Sequence, residues 1–390
     1  MTKCPNCFTG IPVATSAFVC VNQNCAKTVD TFASRYSATE VIGGYWYQFE
    51  RPAEAKGNWA PPTEVRCSAC NEMTREACPT CHTVLLPDWR ASNATCIAMN
   101  GARATGKSVY VATVVRELEE LSMRLSTTFA YGDQQTREIM EEIYQKPLFV
   151  EGGLMAPTPA SNTNNSYQRF PLIFSLGRLK GVRQYLVIRD IAGEEMEQPP
   201  AVHGHLDFLG KADAIIFMFD PLAVPKVREK LTDLVPAQLQ AGGDPALVLQ
   251  NLLQLTRSSC PPVAVVLSKF DAVQELRRVE DVEWSSIMSN TGAAMMRDPS
   301  EQGTSYDETD GALLDQEIKS LLHRLGGAGV VFGLESPHDG QTIPHRYFAV
   351  SALGESPEGR RLHARGITSF RCLDPVKWIL SKKNVLATTA

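Results

Sequence analysis

The sequence predicts an α/β protein with a mostly parallel central sheet, preceded by a small cysteine-rich region. Three observations carry this. From residue 94 onward, apolar runs of strand length alternate with helical or polar stretches. A glycine-rich segment, Gly101–Ser108, sits between the first of those runs and a helical pattern. Eight of the eleven cysteines fall within the first 81 residues, in four close pairs.

The 390 residues are enough for two or three domains, and 44% hydrophobic with 21% charged residues is globular composition. The most apolar run, Ala214–Phe219, is stopped by Asp213 and Asp220 and is too short to span a bilayer. The N-terminus reaches Cys4 with no basic and then apolar stretch, so a cytoplasmic protein without a secretory signal is expected. A net charge of −5 argues against electrostatic coating of nucleic acid. The expected organisation is a zinc-ribbon region over 1–90, an α/β domain over 91–385 and a tail over 386–390.

Residues 1–90 show Gly/Pro punctuation and no helical periodicity. Ala94–Met99 reads as a buried strand and is followed by a glycine turn. Val111, Val115, Leu118 and Leu125, spaced three, four or seven apart, then predict a helix. Phe170–Leu179 and Arg183–Arg189 flank Lys180-Gly181 and predict a hairpin. Further strands are expected at Ala214–Phe219, Val263–Leu267 and Tyr347–Val350. Ser285–Gly311, rich in Ser, Asn, Gly, Asp and Thr, reads as a mobile surface loop.

The cysteine pairs are Cys4/Cys7, Cys20/Cys25, Cys67/Cys70 and Cys78/Cys81. Two residues between thiolates let one tight turn offer both sulfurs to one ion, and two such turns complete a tetrahedral site. Two structural Zn²⁺ ions follow. Sequential ligation, with the first four cysteines on one ion and the last four on the other, is the simplest assignment, and an interleaved one stays open. A redox dithiol would need a thioredoxin-like context that is missing. His82 reads as a bystander, and Cys96, Cys260 and Cys372 as small core residues. Residues 1–95 hold eight Lys/Arg and eight Asp/Glu, and each four-thiolate zinc adds about −2, which favours a protein partner over nucleic acid.

Gly101-Ala-Arg-Ala-Thr-Gly106-Lys107-Ser108 matches G-x-x-x-x-G-K-[ST] at a strand–helix junction. Its backbone N–H groups can cradle phosphates, Lys107 can neutralise β/γ oxygens, and the Ser108 hydroxyl can hold Mg²⁺. Leu186–Asp190 is a strand ending in an acid, with Gly193 three residues on. Asp190 is placed for Mg²⁺ and Gly193 for a γ-phosphate. Ser268-Lys269-Phe270-Asp271 follows the next strand. A carboxylate at Asp271 can accept both N1–H and the exocyclic amine of guanine, a donor pair that adenine lacks. The turn Ser351-Ala352-Leu353 could donate to guanine O6.

These segments, in this order and each at a strand end, resemble the translation-factor and Ras-like (TRAFAC) class of P-loop GTPases over roughly residues 94–385. The resemblance implies about six strands with the second antiparallel, and insertions at about 129–159, 222–262 and 272–344. It implies GTP/GDP with Mg²⁺, held by Gly101, Ala104, Thr105, Gly106, Lys107, Ser108, Val109, Asp190, Gly193, Ser268, Lys269, Asp271, Ser351, Ala352 and Leu353. Lys107, Thr158, Glu194 and Arg103 are the candidate catalytic residues, and Ser108, Thr158 and Asp190 the Mg²⁺ ligands. Thr163 is the alternative to Thr158 as switch threonine. The chain departs from the class at Ser268, where Asn or Thr is usual, and at Glu194, where a Gln commonly orients water. A carboxylate there is repelled by a γ-phosphate, so slow hydrolysis is expected. Arg103 would crowd the site or act as an internal arginine finger. His203 and His205 read as surface residues of a mobile loop.

The zinc ribbons, Asp190-Ile-Ala-Gly-Glu-Glu195 and the tail Cys372–Leu380 resemble bacterial double-GTPase (DO-GTPase) proteins of conflict systems, which implies a second GTPase as partner. The leading expectation is a GTP-binding molecular switch acting through a protein partner. The alternatives are a non-hydrolysing, nucleotide-stabilised scaffold and an ATP-dependent P-loop NTPase.

Overall fold

A computed structural model describes residues 2–37, 39–55, 61–155, 170–198, 204–231, 234, 243–300, 302–337, 342–357, 359 and 361–389. In the N-terminal region β1 (Thr15–Val19) lies between β2 (Trp46–Glu50) and β3 (Arg75–Ala77), antiparallel to both. The seven strands of the main sheet follow as β4 (Asn93–Gly101), β5 (Ala130–Tyr131), β6 (Leu172–Leu179), β7 (Val182–Asp190), β8 (Ala214–Phe219), β9 (Val263–Leu267) and β10 (His345–Ala349). Their spatial order is β10-β9-β8-β4-β7-β6-β5.

Five of these strands are parallel; β6 runs antiparallel to β7, and β5 to β6. The parallel strands read as near-continuous apolar runs because both faces are covered. The predicted hairpin closes on Lys180 (φ 53°) and Gly181 (φ 80°), two positive φ values that match the strand twist. The sheet has seven strands instead of about six because the short β5, inside the 129–159 segment, adds to the edge of β6.

Helix α1 (Lys107–Arg124) leaves the glycine-rich loop and buries Val111, Val115 and Leu118 as the periodicity predicts, with Leu125 at the margin. Helix α2 (Pro245–Thr256) is capped by Asp244, whose carboxylate accepts from the Ala246 and Leu247 amides. Helices α3 (Glu308–Arg324), α4 (Ala328–Glu335) and α5 (Asp374–Lys382) follow in the C-terminal half.

The Ser285–Gly311 segment is only in part the surface loop that its composition suggests. It contains the end of a helix at Val282–Met288, a helical turn at Ala294–Met296 and the start of α3. Ala294, Met295, Ser300 and Tyr306 are buried. Part of its polar content is engaged internally: Asp307 caps α3 through the Asp310 amide, and Asp310 accepts from Arg297. Glu317 of α3 accepts from the Ala294 and Met295 amides, while Ser289, Asn290 and Thr291 are exposed. Polar composition signals a loop only where the polar groups face water.

A buried ionic cluster clamps this segment to the C-terminus. Arg371 is fully buried and donates to Asp374, to Asp310 Oδ2 (2.7 Å), and to the carbonyls of Ala294 (2.7 Å) and Arg297 (2.6 Å). Burial pushes the Asp374 carboxyl up to about 6, against the attraction of Arg371 and with help from Asp298 and Asp310. A raised folded-state value means that this group's stabilisation is present below its unfolded value and is lost as pH rises through about 6. Asp374→Asn should therefore gain on the wild type by on the order of 2 kcal/mol between pH 4 and pH 7, read from urea midpoints. A pH-independent difference would refute the assignment.

Candidate functional site

A cavity of about 610 Å³ opens at the C-terminal ends of the parallel strands. The loop after β4 contributes Arg103 to Gly106, and the start of α1 adds Lys107, Ser108 and Val109. Gly193 and Glu194 follow β7; Ser268, Lys269 and Asp271 follow β9; Ala352 and Leu353 follow β10. Segments up to 250 positions apart in the sequence thus share one wall. Gly101, Asp190 and Ser351 stand behind the lining, each buried at its strand end. Thr158, Thr163 and His203 lie outside the described residues.

Lys107 is buried, and its ammonium donates to the carbonyls of Gly101 (2.8 Å) and Ala102 (3.0 Å). Burial lowers its pKa, against the carboxylates of Asp190 and Glu197. Asp190 Oδ2 accepts a hydrogen bond from Tyr144 at 3.5 Å. Tyr144 sits on the π-helical stretch Met140–Val150, and no motif in the sequence pointed to it. Gly193 packs against the glycine-rich loop so closely that a Cβ would lie 2.6 Å from Ala102 C and 2.8 Å from Arg103 Cα. Glu194 Oε1 accepts from Arg103 Nη1 at 3.2 Å, with both side chains largely exposed. His205 is not a free surface residue, since its ring lies 3.6 Å from Glu195 with both groups mostly buried.

At the other end of the cavity, Asp271 accepts from Ser351 Oγ (2.6 Å) and Ser356 Oγ (3.0 Å). Ser268 Oγ donates to the Phe219 carbonyl at 3.0 Å, which ties this loop to the end of β8. Lys269 Nζ reaches Asp220 Oδ2 at 2.6 Å. Thr113 of α1 donates to the Ala352 carbonyl (3.2 Å) and Tyr110 to the Cys372 carbonyl (3.0 Å), so the helix leaving the glycine-rich loop also holds this turn.

The cysteines gather in two groups, Cys4/Cys7/Cys78/Cys81 and Cys20/Cys25/Cys67/Cys70. The grouping is nested, the first pair with the fourth and the second with the third, which corrects the sequential assignment. The reason is the antiparallel pairing of β1 with β3, Ala17 opposite Ala77 and Val19 opposite Arg75. It brings the segment before β1 beside the segment after β3, and the segment after β1 beside the one before β3.

Both groups could hold a zinc ion. A Zn–S bond of about 2.3 Å puts tetrahedral sulfurs about 3.8 Å apart. The Sγ separations are 3.5 Å for Cys4–Cys81, 3.8 Å for Cys7–Cys78, 3.7 Å for Cys20–Cys70 and 3.8 Å for Cys25–Cys67. Burial and the neighbouring thiols push the Cys4 thiol well up, so a metal entering this group displaces protons. His82 belongs to neither group; its Nδ1 lies 2.6 Å from Asp30 Oδ2. Cys96 and Cys372 are fully buried and Cys260 partly so.

Fold and site together define a mixed α/β protein with a seven-stranded, mostly parallel sheet and two four-cysteine metal-site candidates. The chain belongs to the family of the putative ESX-1 scaffolding and assembly protein SaeC of Mycolicibacterium smegmatis. The two are 44% identical over 387 residues, which is 99% of this chain and 100% of that protein. No family model matches the chain. The relative is named as a scaffold, and this overturns the expectation of a GTP-binding switch. Its name mentions no GTPase, and scaffolding and assembly are what that name says of the relative. Among the described residues no helix is long and apolar enough to cross a membrane.

Proposed function

We propose that the chain is a scaffold or assembly protein that works on protein partners, with a guanine nucleotide and Mg²⁺ as structural ligands of its cavity. The observation that carries this is the full-length similarity to a protein named for ESX-1 scaffolding and assembly. The cavity supports the nucleotide part: the phosphate-loop residues line one end, and Asp271, oriented by Ser351 and Ser356, lines the other. The Arg103–Glu194 pair supports a non-hydrolysing role. It engages with each other the two side chains that would otherwise orient water or stabilise transferred charge. Lys107, Ser108 and Asp190 would hold the phosphates and the Mg²⁺, and zinc would fold the N-terminal region for docking.

Two measurements test the proposal. Saturating GTP or GDP at about a hundred times its Kd should stabilise the chain by about 2.7 kcal/mol, and ATP should not. Multiple-turnover phosphate release should stay at the buffer level; steady turnover would overturn the scaffold reading. In M. smegmatis lacking its relative, the chain should restore ESX-1 assembly, and Lys107→Ala should restore it less well. Equal restoration by Lys107→Ala would remove the nucleotide from the proposal.

A further inference from the structure

The two metal-site candidates differ in their surroundings. Cys4, Cys7, Cys78 and Cys81 are 0–2% exposed and belong to the same continuous core as the seven-stranded sheet. Cys20, Cys25 and Cys67 form a separate cluster, joined by the partly exposed Cys70. The first group is also stitched to the α/β domain by directional contacts. Arg189 Nη1 donates to the Asn6 carbonyl, inside the Cys4–Cys7 turn, at 2.8 Å. The same guanidinium lies 3.8 Å over the Phe208 ring, which meets Phe8 edge-on at 5.2 Å. Lys3 Nζ reaches Asp213 Oδ1 at 2.9 Å, and Asp213 Oδ2 accepts from the Cys96 amide of β4 at 2.9 Å.

We infer that the Cys4/Cys7/Cys78/Cys81 metal is a staple of the α/β core, and that the Cys20/Cys25/Cys67/Cys70 metal is an exchangeable ion folding a separable module. Arg189 is the positioning residue of the staple. It precedes Asp190 on β7, and neighbouring side chains on a strand point to opposite faces. The Cys4–Cys7 turn therefore braces, from the far side of the sheet, the strand that carries Asp190 behind the cavity. An ion held in a small cluster apart from the main core, with one ligand partly exposed, leaves through local opening, whereas an ion in the main core leaves only with global unfolding. The inference does not depend on what fills the cavity.

The test uses the full chain loaded with zinc, treated with excess chelator in native buffer. Released metal is read by a chromogenic indicator, and thiols by alkylation and peptide mapping. One equivalent should leave early, with label at Cys20, Cys25, Cys67 and Cys70 and an unchanged melting transition. The second should leave more than about tenfold more slowly, at the rate of global unfolding. Cys70→Ser should fold with one zinc and keep the core transition. Arg189→Lys loses the planar fork and its stacking, and should speed the slow phase alone by about threefold or more. Release of both ions in one phase, early label at Cys4 or Cys7, a collapsed core in Cys70→Ser, or fewer than two bound zinc ions would each overturn the inference.

Discussion

Arg371→Met should lose about 3–5 kcal/mol, the range found when one partner of a buried ion pair is removed. Met replaces the aliphatic stem but none of the donors. Arg371 is 0% exposed, and its guanidinium serves two carboxylates and two carbonyls at once. Without it Asp374 has lost its cation in a site already hostile to charge, while Asp310 keeps Arg297 Nε at 2.9 Å. At 2–4 °C per kcal/mol, the loss corresponds to a melting temperature lower by about 10 °C. The pair Arg371→Met with Asp374→Asn should recover part of it, since the stranded charge goes too. The damage should reach the cavity, because Phe370, next to Arg371, bridges Ser351, and Ser351 holds Asp271. A loss below about 1 kcal/mol would mean that the cluster relaxes into water and clamps nothing.

Gly193→Ala should be the most damaging single-methyl change at the cavity. The atoms that a Cβ would meet are backbone atoms of Ala102 and Arg103, which no rotamer change can move aside. Either the loop after Asp190 lifts or the glycine-rich loop deforms, at a cost of about 1–3 kcal/mol or more. The expected signature is a lower melting temperature together with loss of the stabilisation by GTP or GDP. A variant that melts with the wild type and binds equally would show that the two loops do not touch. Glu194→Gln next door, whose side chain is exposed, should change melting by less than about 0.5 kcal/mol.

The sequence by itself determined the local elements and the identity of the groups at their ends. Ala214–Phe219 and Val263–Leu267 are strands with the bounds their apolar runs predict, and Lys180-Gly181 makes the hairpin turn. These features are legible because propensity, period and turn chemistry act over a few neighbouring residues. The same locality marks Lys107, Gly193 and Asp271 as residues that follow strand ends, and all three line the cavity.

Tertiary structure alone decided which distant residues meet. The cysteine spacings fit more than one grouping, and the antiparallel register of β1 with β3 selected the nested one, outer pairs together and inner pairs together. Tyr144 comes to Asp190 from an insertion with no motif of its own, and Glu194 is met by Arg103 across 91 positions. The Ser285–Gly311 segment reads as solvated because its composition is polar, yet Asp298, Asp307 and Asp310 find amides and guanidinium groups inside the protein while Ser289–Thr291 face water. Composition reports whether a group can hydrogen-bond. Only the folded chain supplies the partner and, with it, the choice between water and the interior.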